Sequence, residues 1–163
     1  MIGEPGAFAV GAILLIPVIA AAVLALLPED RTAARLNVLA TAATLASAVV
    51  LFAERPAPGR FLIVDDLNVM FIVLNTFVGF TTSVFSATYI GHELETGRLT
   101  PTFVRFYHAM YQTMMFGMNL AFVSNNIGLM WVAVELATLT TVLMVGIYPV
   151  SYTHLTLPTI YSV

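Results

Sequence analysis

The chain has 163 residues, of which 60% are hydrophobic and only 9% are charged, and its formal net charge is −3. Soluble domains carry about 25% charged residues, so this composition excludes an ordinary water-soluble domain and favours a protein that spans a membrane. The chain has no cysteine, which excludes disulfides and thiolate metal sites, and its six basic residues, all arginines, form no cluster that would bind nucleic acid.

Five apolar stretches follow one another between short polar connections. Each is about 18 to 22 residues long, which is enough for a helix to cross a bilayer. The predicted spans cover residues 7–27, 36–53, 69–90, 106–123 and 128–148. Pro17 lies inside the first span, where it is tolerated if a neighbouring group bonds the carbonyl that it leaves free. The sequence therefore predicts an all-α, polytopic integral membrane helix bundle.

The arginines are distributed unevenly between the connections. Four lie in the first and third connections: Arg31, Arg35, Arg98 and Arg105. Two lie in the second connection: Arg55 and Arg60. Because cytoplasmic loops are enriched in basic residues, this bias places the N-terminus outside and the first and third connections in the cytoplasm. We expect a multi-pass protein of the inner (plasma) membrane.

One carboxylate, Glu135, lies inside an apolar run, whereas the other eight lie in polar connections. The run from Gly128 to Tyr148 contains no other charge, and its 21 residues would reach roughly 31 Å as a helix. An acidic side chain at that depth costs a few kcal/mol or more unless it faces protein or water. We therefore interpret Glu135 as a candidate proton-transfer residue.

With a helical period, Glu135 shares a face of the fifth span with a largely apolar set of residues: Gly128, Trp131, Val132, Thr138, Leu139 and Val142. Thr138, one turn away, is placed to bond the carboxyl group or a water molecule, and Thr141 lies at the flank of this face. Burial disfavours an ionised carboxyl and a nearby cation favours it, so a movable cation would switch Glu135 between holding and releasing a proton. The alternative is that Glu135 only joins helices by hydrogen bonds.

Other polar residues are expected to be structural. Three amides fall within the predicted spans: Asn75, Gln112 and Asn119. We expect them to form helix–helix hydrogen bonds, with a hydrated path as the alternative. His108 is expected in an aromatic belt beside Tyr107 and Tyr111, with a proton relay as the alternative. Three residues after the third span are expected to be solvated in a loop: His92, Glu93 and Glu95.

The sequence contains no glycine-rich phosphate loop, zinc-ligand spacing or dinucleotide fingerprint. We therefore expect no cofactor, no metal and no redox site in this chain, and any redox chemistry would belong to partner subunits.

The last residues break the hydropathy pattern. Residues 150–159, VSYTHLTLPT, match the translation of a transposase-type sequencing adapter residue for residue. We interpret residues 149–163 as a non-native tail after an interrupted native chain, with a genuine polar tail as the alternative. His154, Tyr152 and Tyr161 then carry no functional weight.

Several segments resemble a known family. They are Tyr89-Ile-Gly-His-Glu, Asp66-Leu-Asn before the third span, and the run from Ser124-Asn-Asn through Met130-Trp, Glu135 and Thr138 to Gly146-Ile-Tyr148. This wording resembles the antiporter-like membrane subunits of complex I, the proton-translocating NADH-quinone oxidoreductase, and is closest to the hydrogenase-4 component F type. The resemblance is specific from Asp66 to Tyr148 and only hydropathic before that.

The resemblance implies that residues 1–148 are the N-terminal part of a subunit of about fourteen helices built on inverted repeats. In that family the glutamate matched by Glu135 pairs with a lysine on a broken later helix, whereas this chain contains no lysine. The implied partners are other membrane subunits, peripheral redox subunits, the lipid bilayer, and protons or sodium.

Three functions stay open at this point. The first is a proton-translocating, non-catalytic subunit of a hydrogenase-4 or complex I-type redox-driven oxidoreductase complex, with Glu135 as its proton-transfer carboxylate and Thr138, Thr141, His108 and Asn119 as supporting residues. The second is a subunit of a multisubunit sodium/proton antiporter or of a proton-coupled inorganic-carbon uptake system. The third is a structural membrane fragment.

Overall fold

The computed structural model describes residues 5–27 and 30–146, and these form five helices. The helices are α1 (Pro5–Leu26), α2 (Asp30–Ala53), α3 (Asp66–Glu95), α4 (Pro101–Val123) and α5 (Ile127–Val145). Four of them, α1, α2, α3 and α5, are long and apolar enough to cross a membrane. The predicted fold class, an all-helical membrane bundle, is confirmed. The predicted tail at 149–163 lies outside the described residues.

Helix α4 occupies the centre of this bundle. It packs against α1, α2, α3 and α5, whereas α5 packs only on α4 among the described helices. A helix covered by protein needs less apolar surface than one that faces lipid. This position explains why α4 carries a buried histidine and two buried amides, His108, Gln112 and Asn119.

Each of the last three helices begins at a side chain that caps its free amides. The Asp65 carboxylate accepts from the Asn68 amide at 2.7 Å, and the Thr100 hydroxyl precedes Pro101, which suits a first helical position because it has no N–H to satisfy. The Asn126 side chain accepts from the Leu129 amide at 3.1 Å and starts α5. The segments Asp66-Leu-Asn and Ser124-Asn-Asn thus lie at the starts of α3 and α5.

Two connections are joined at one end of the bundle. The segment before α3 runs beside the short turn between α4 and α5, where the Ile63 amide donates to the Val123 carbonyl at 2.8 Å and the Asn125 amide donates to the Phe61 carbonyl at 2.7 Å. The Asn125 side chain also donates to the Gly59 carbonyl at 2.9 Å. These bonds fix the start of α5 to the rest of the bundle.

The interior of the bundle contains both apolar clusters and buried polar residues. At the end that holds these connections, an apolar cluster includes Ile13, Leu51 and Ile72. At the opposite end, where the first and third connections lie, another cluster is built on Ile90, Leu99 and Val104. Between the two clusters lies what we call the polar layer, a set of buried polar residues from α2, α3 and α4: Asn37, Thr41, Thr44, Thr76, Ser83, His108, Gln112 and Asn119.

Candidate functional site

Glu135 lies near the middle of α5, on the face turned away from the bundle. Helix α5 contacts α4 through Ala133 and Thr140, which are buried, and through Ala137. The facing position on α4 is Gly117, where a Cβ atom would lie 3.0 Å from the Ala133 carbonyl oxygen and 3.1 Å from the Ala137 amide nitrogen. Small residues on both helices therefore allow close approach. Glu135 follows Ala133 by two positions and so lies about 200° around the helix from that contact.

The face around Glu135 is exposed and mainly apolar. The six residues predicted to share this face are all exposed in the described structure. Trp131 is 64% exposed and Val142 is 63% exposed, and α5 is apolar enough to cross a membrane. A carboxylate on such a face is stable only when protein or water covers it. Among residues 5–27 and 30–146, no side chain forms a hydrogen bond or an ion pair with Glu135.

Thr138 and Thr141 lie beside Glu135 but donate their hydroxyl protons within their own helix. The Thr138 hydroxyl donates to the Val134 carbonyl at 2.9 Å, and the Thr141 hydroxyl donates to the Ala137 carbonyl at 2.8 Å. Both residues are exposed, and each oxygen keeps acceptor capacity. Because their protons go to these carbonyls, neither hydroxyl donates to the Glu135 carboxylate.

Asn119 forms hydrogen bonds to two other helices that the sequence alone does not reveal. Its side-chain amide donates to the Ile13 carbonyl at 3.0 Å, and its oxygen accepts from the Asn75 amide at 2.9 Å. Ile13 is four residues before Pro17, so its carbonyl is the one that the missing proline N–H would otherwise have bonded. Asn119 thus satisfies the carbonyl freed by Pro17 and links α1 to α3.

His108 is buried inside the bundle, only 1% exposed, with its ring edge-on to Tyr107 at 5.4 Å between centroids. One turn further along α4, the Gln112 amide donates to the Asn37 side-chain oxygen of α2 at 2.8 Å. In the same layer, the hydroxyls of Thr41 and Ser83 lie 2.7 Å apart and join α2 to α3. The polar layer therefore consists mainly of bonds between helices.

The structure does not bring the predicted site residues together. Glu135, Thr138 and Thr141 lie on the outer side of α5, whereas His108 and Asn119 lie on the inner side of α4. The contact between α4 and α5 separates these two groups. No path of described polar side chains therefore joins Glu135 to the polar layer.

One buried carboxylate was missed from the sequence. Helix α3 continues to Glu95, beyond the predicted end at residue 90, and Glu93 is only 4% exposed instead of solvated in a loop. Its Oε1 accepts from Arg98 Nη1 at 3.1 Å. The signal was its spacing, since Glu93 continues the buried face of Ser83, Ser86 and Ile90 at helical intervals.

No cluster of three or more histidine, aspartate or glutamate side chains suited to a metal ion occurs in the part of the chain that the structure describes. Glu135 is a carboxylate on an apolar helix, and a carboxyl group can hold and release a proton.

A curated relative supports the resemblance read from the sequence. The chain is 50% identical over 137 residues to a Hydrogenase-4 component F homolog from Methylacidiphilum infernorum (isolate V4). The match covers 84% of this chain. The predicted resemblance to hydrogenase-4 component F is confirmed.

The chain spans less than a third of that relative, since the match covers 29% of its length. No family model matches the chain. No solved structure matches it. The similarity to the component F homolog and the four apolar helices support a multi-pass membrane protein.

Proposed function

We propose that this chain is the N-terminal part of an ion-translocating membrane subunit of a redox-driven complex of the hydrogenase-4 or complex I type, and that Glu135 is its intramembrane proton-transfer carboxylate. The observation that carries the proposal is the position of Glu135 on the outer face of an apolar helix. The 50% identity to a component F homolog supports the type of complex.

The exposed face of α5 supports a role for Glu135 outside the described bundle. An ionised carboxylate against lipid costs a few kcal/mol or more, so the working protein needs protein or water against this face. The chain matches less than a third of its relative, so segments beyond the described residues are the natural cover. A cation on such a segment would favour the ionised form of Glu135, and its withdrawal would favour the protonated form.

This mechanism also assigns partners and a location. Helices of the same subunit and other membrane subunits would cover the Glu135 face, and peripheral redox subunits would supply the driving reaction. The subunit would lie in the inner (plasma) membrane, with the ends that carry Arg31, Arg35, Arg98 and Arg105 in the cytoplasm. The chain itself would be non-catalytic and would bind no cofactor.

The test is a series of substitutions of Glu135 in the full-length subunit within its complex. Glu135→Gln keeps the shape and the hydrogen bonds but removes the titratable proton, so ion pumping should fall to near background while assembly stays intact. Glu135→Asp should keep part of the activity, because the acid remains but is withdrawn by one methylene. Proton and sodium uptake by membrane vesicles, normalised to subunit abundance, measures both.

Val142→Gln is the matched control, because it places the same amide two turns away on the same exposed face. It should pump like the wild type. Wild-type pumping by the Glu135→Gln variant would end the proton-site proposal. Poor assembly of Glu135→Ala together with normal pumping by Glu135→Gln would show that Glu135 only joins helices.

A further inference from the structure

Three buried polar side chains of the polar layer keep one atom each without a hydrogen-bond partner among the described residues. These atoms are Asn37 Nδ2, His108 Nδ1 and Gln112 Oε1. The three side chains are at most 1% exposed. Buried polar groups in proteins almost always have a partner, either protein or ordered water, so three such atoms at one level of two helices require an explanation.

The orientation of both amides is fixed by their own contacts. Gln112 Nε2 donates to Asn37 Oδ1 at 2.8 Å and also to the Asn37 backbone carbonyl at 3.3 Å. Exchanging the oxygen and nitrogen of Gln112 would place its oxygen against two acceptors. Exchanging those of Asn37 would place two N–H groups against each other. The free atoms are therefore a donor on Asn37 and an acceptor on Gln112.

His108 lies one turn before Gln112 on the same face of α4, at a spacing that puts Cβ atoms about 5–6 Å apart. Its Nδ1 either donates or accepts, depending on the tautomer. The three free atoms thus offer a donor, an acceptor and a group that adapts to either. A buried water molecule forms about three hydrogen bonds, which matches this set.

Segments beyond the described residues have no route to these atoms. Each is fully enclosed by the described helices, so another side chain could reach it only if α2 or α4 moved. A small, polar occupant held inside the bundle is what the geometry allows.

We propose that Asn37, His108 and Gln112 form an internal water site between α2 and α4. The water accepts from Asn37 Nδ2, donates to Gln112 Oε1 and bonds His108 Nδ1. It gives a buried imidazole a proton-exchange partner on the side of α4 opposite to Glu135. This site does not depend on the role proposed for Glu135.

The test is hydroxyl-radical labelling by X-ray radiolysis of water in the full-length subunit in lipid nanodiscs, read by mass spectrometry. Met115 is the reporter, because it lies three positions after Gln112 on the same face and is only 2% exposed. The matched dry reporter is Ile72→Met, a change of similar volume at a fully buried position of the apolar cluster. Met115 should be labelled several times faster than the methionine introduced at position 72. Equal rates in the two would overturn the proposal.

Two variants test whether the named atoms hold the water. Gln112→Leu and His108→Phe keep the volume but remove polar atoms, so labelling of Met115 should fall to the rate of the dry reporter. His108→Asn returns a polar atom near the Nδ1 position and should retain most of the labelling. Unchanged labelling in both apolar variants would overturn the assignment. If one of them fails to fold, the other and the wild-type comparison decide the result.

Discussion

The polar layer and the Glu135 face contain similar side chains in opposite settings. In the polar layer, Asn119, Gln112 and Thr41 bond groups on other helices and are fully buried. On α5, Glu135 is exposed and no described side chain bonds it. A polar residue in an apolar helix is therefore structural when its partners are already present, and it is a candidate for function when its partners must come from outside.

Gly117 lies where α4, which carries part of the polar layer, packs against α5, which carries Glu135. Its replacement should lower the free energy of unfolding more than the other substitutions below. In Gly117→Val the added carbons meet the backbone of Ala133 and Ala137, which have no flexible end to move. Overpacking of this kind costs about 1–3 kcal/mol. Reversible unfolding in mixed detergent micelles should show this loss, and cross-linking of cysteines introduced on α4 and α5 should become inefficient.

Ala121→Val is a control on the same helix for the Gly117 experiment, at a half-buried position. It should unfold at nearly the wild-type detergent fraction. Wild-type stability of Gly117→Val would contradict the close contact between α4 and α5.

Asn119→Leu should cost about 1–2 kcal/mol of unfolding free energy, because it leaves the Ile13 carbonyl and the Asn75 amide without their partners. The matched variant is Pro17→Ala, which restores an N–H for the Ile13 carbonyl within α1. In the double variant, the cost of losing Asn119 should be clearly smaller than in the single one. A strictly additive double-mutant cycle would show that Asn119 does not serve the Pro17 carbonyl.

Replacement of Ser83 by alanine should have a smaller effect, since it removes one hydroxyl pair with Thr41 while the Thr41 hydroxyl keeps backbone acceptors on its own helix. Measured hydrogen bonds between membrane helices average about 0.6 kcal/mol, and a loss of that order is expected in the same unfolding assay. Ser47→Ala is the control, because that hydroxyl bonds only the Ala43 carbonyl within α2. An equal loss in both variants would remove the contribution between helices.

Glu135→Leu should change the unfolding of the 163-residue chain least, by about 0.5 kcal/mol or less, because the side chain is exposed. The same substitution should abolish pumping in the full-length complex. This contrast distinguishes Glu135 from every residue of the polar layer. A loss of stability as large as that of Asn119→Leu would mean that Glu135 already has a structural partner within this chain.

The sequence was informative where hydropathy and period decide the outcome. The apolar runs indicated an all-helical bundle, and the residues that the 3.6-residue period groups with Glu135 are all exposed. Glu135 itself was identifiable because an acidic residue in an apolar run is rare and costly. These features depend only on neighbours in the chain.

The sequence was less informative where partners come from distant segments. The pairing of Asn119 with the carbonyl freed by Pro17 joins residues more than a hundred positions apart. The burial of Glu93 depends on α3 running further than its apolar stretch, and the role of Asn37 depends on its contact with Gln112 of another helix. Contacts of this kind follow from how helices pack, and hydropathy carries no information about them.

The central position of α4 has a consequence for how the protein is made. With a histidine and two amides on its buried face, α4 is the described helix that falls short of the apolarity needed to cross a membrane alone. Newly synthesised helices partition into lipid as they leave the translocon, so α4 depends on earlier helices that already offer hydrogen bonds. We therefore expect α4 to insert efficiently only when α1, α2 and α3 are already present to form their hydrogen bonds with it.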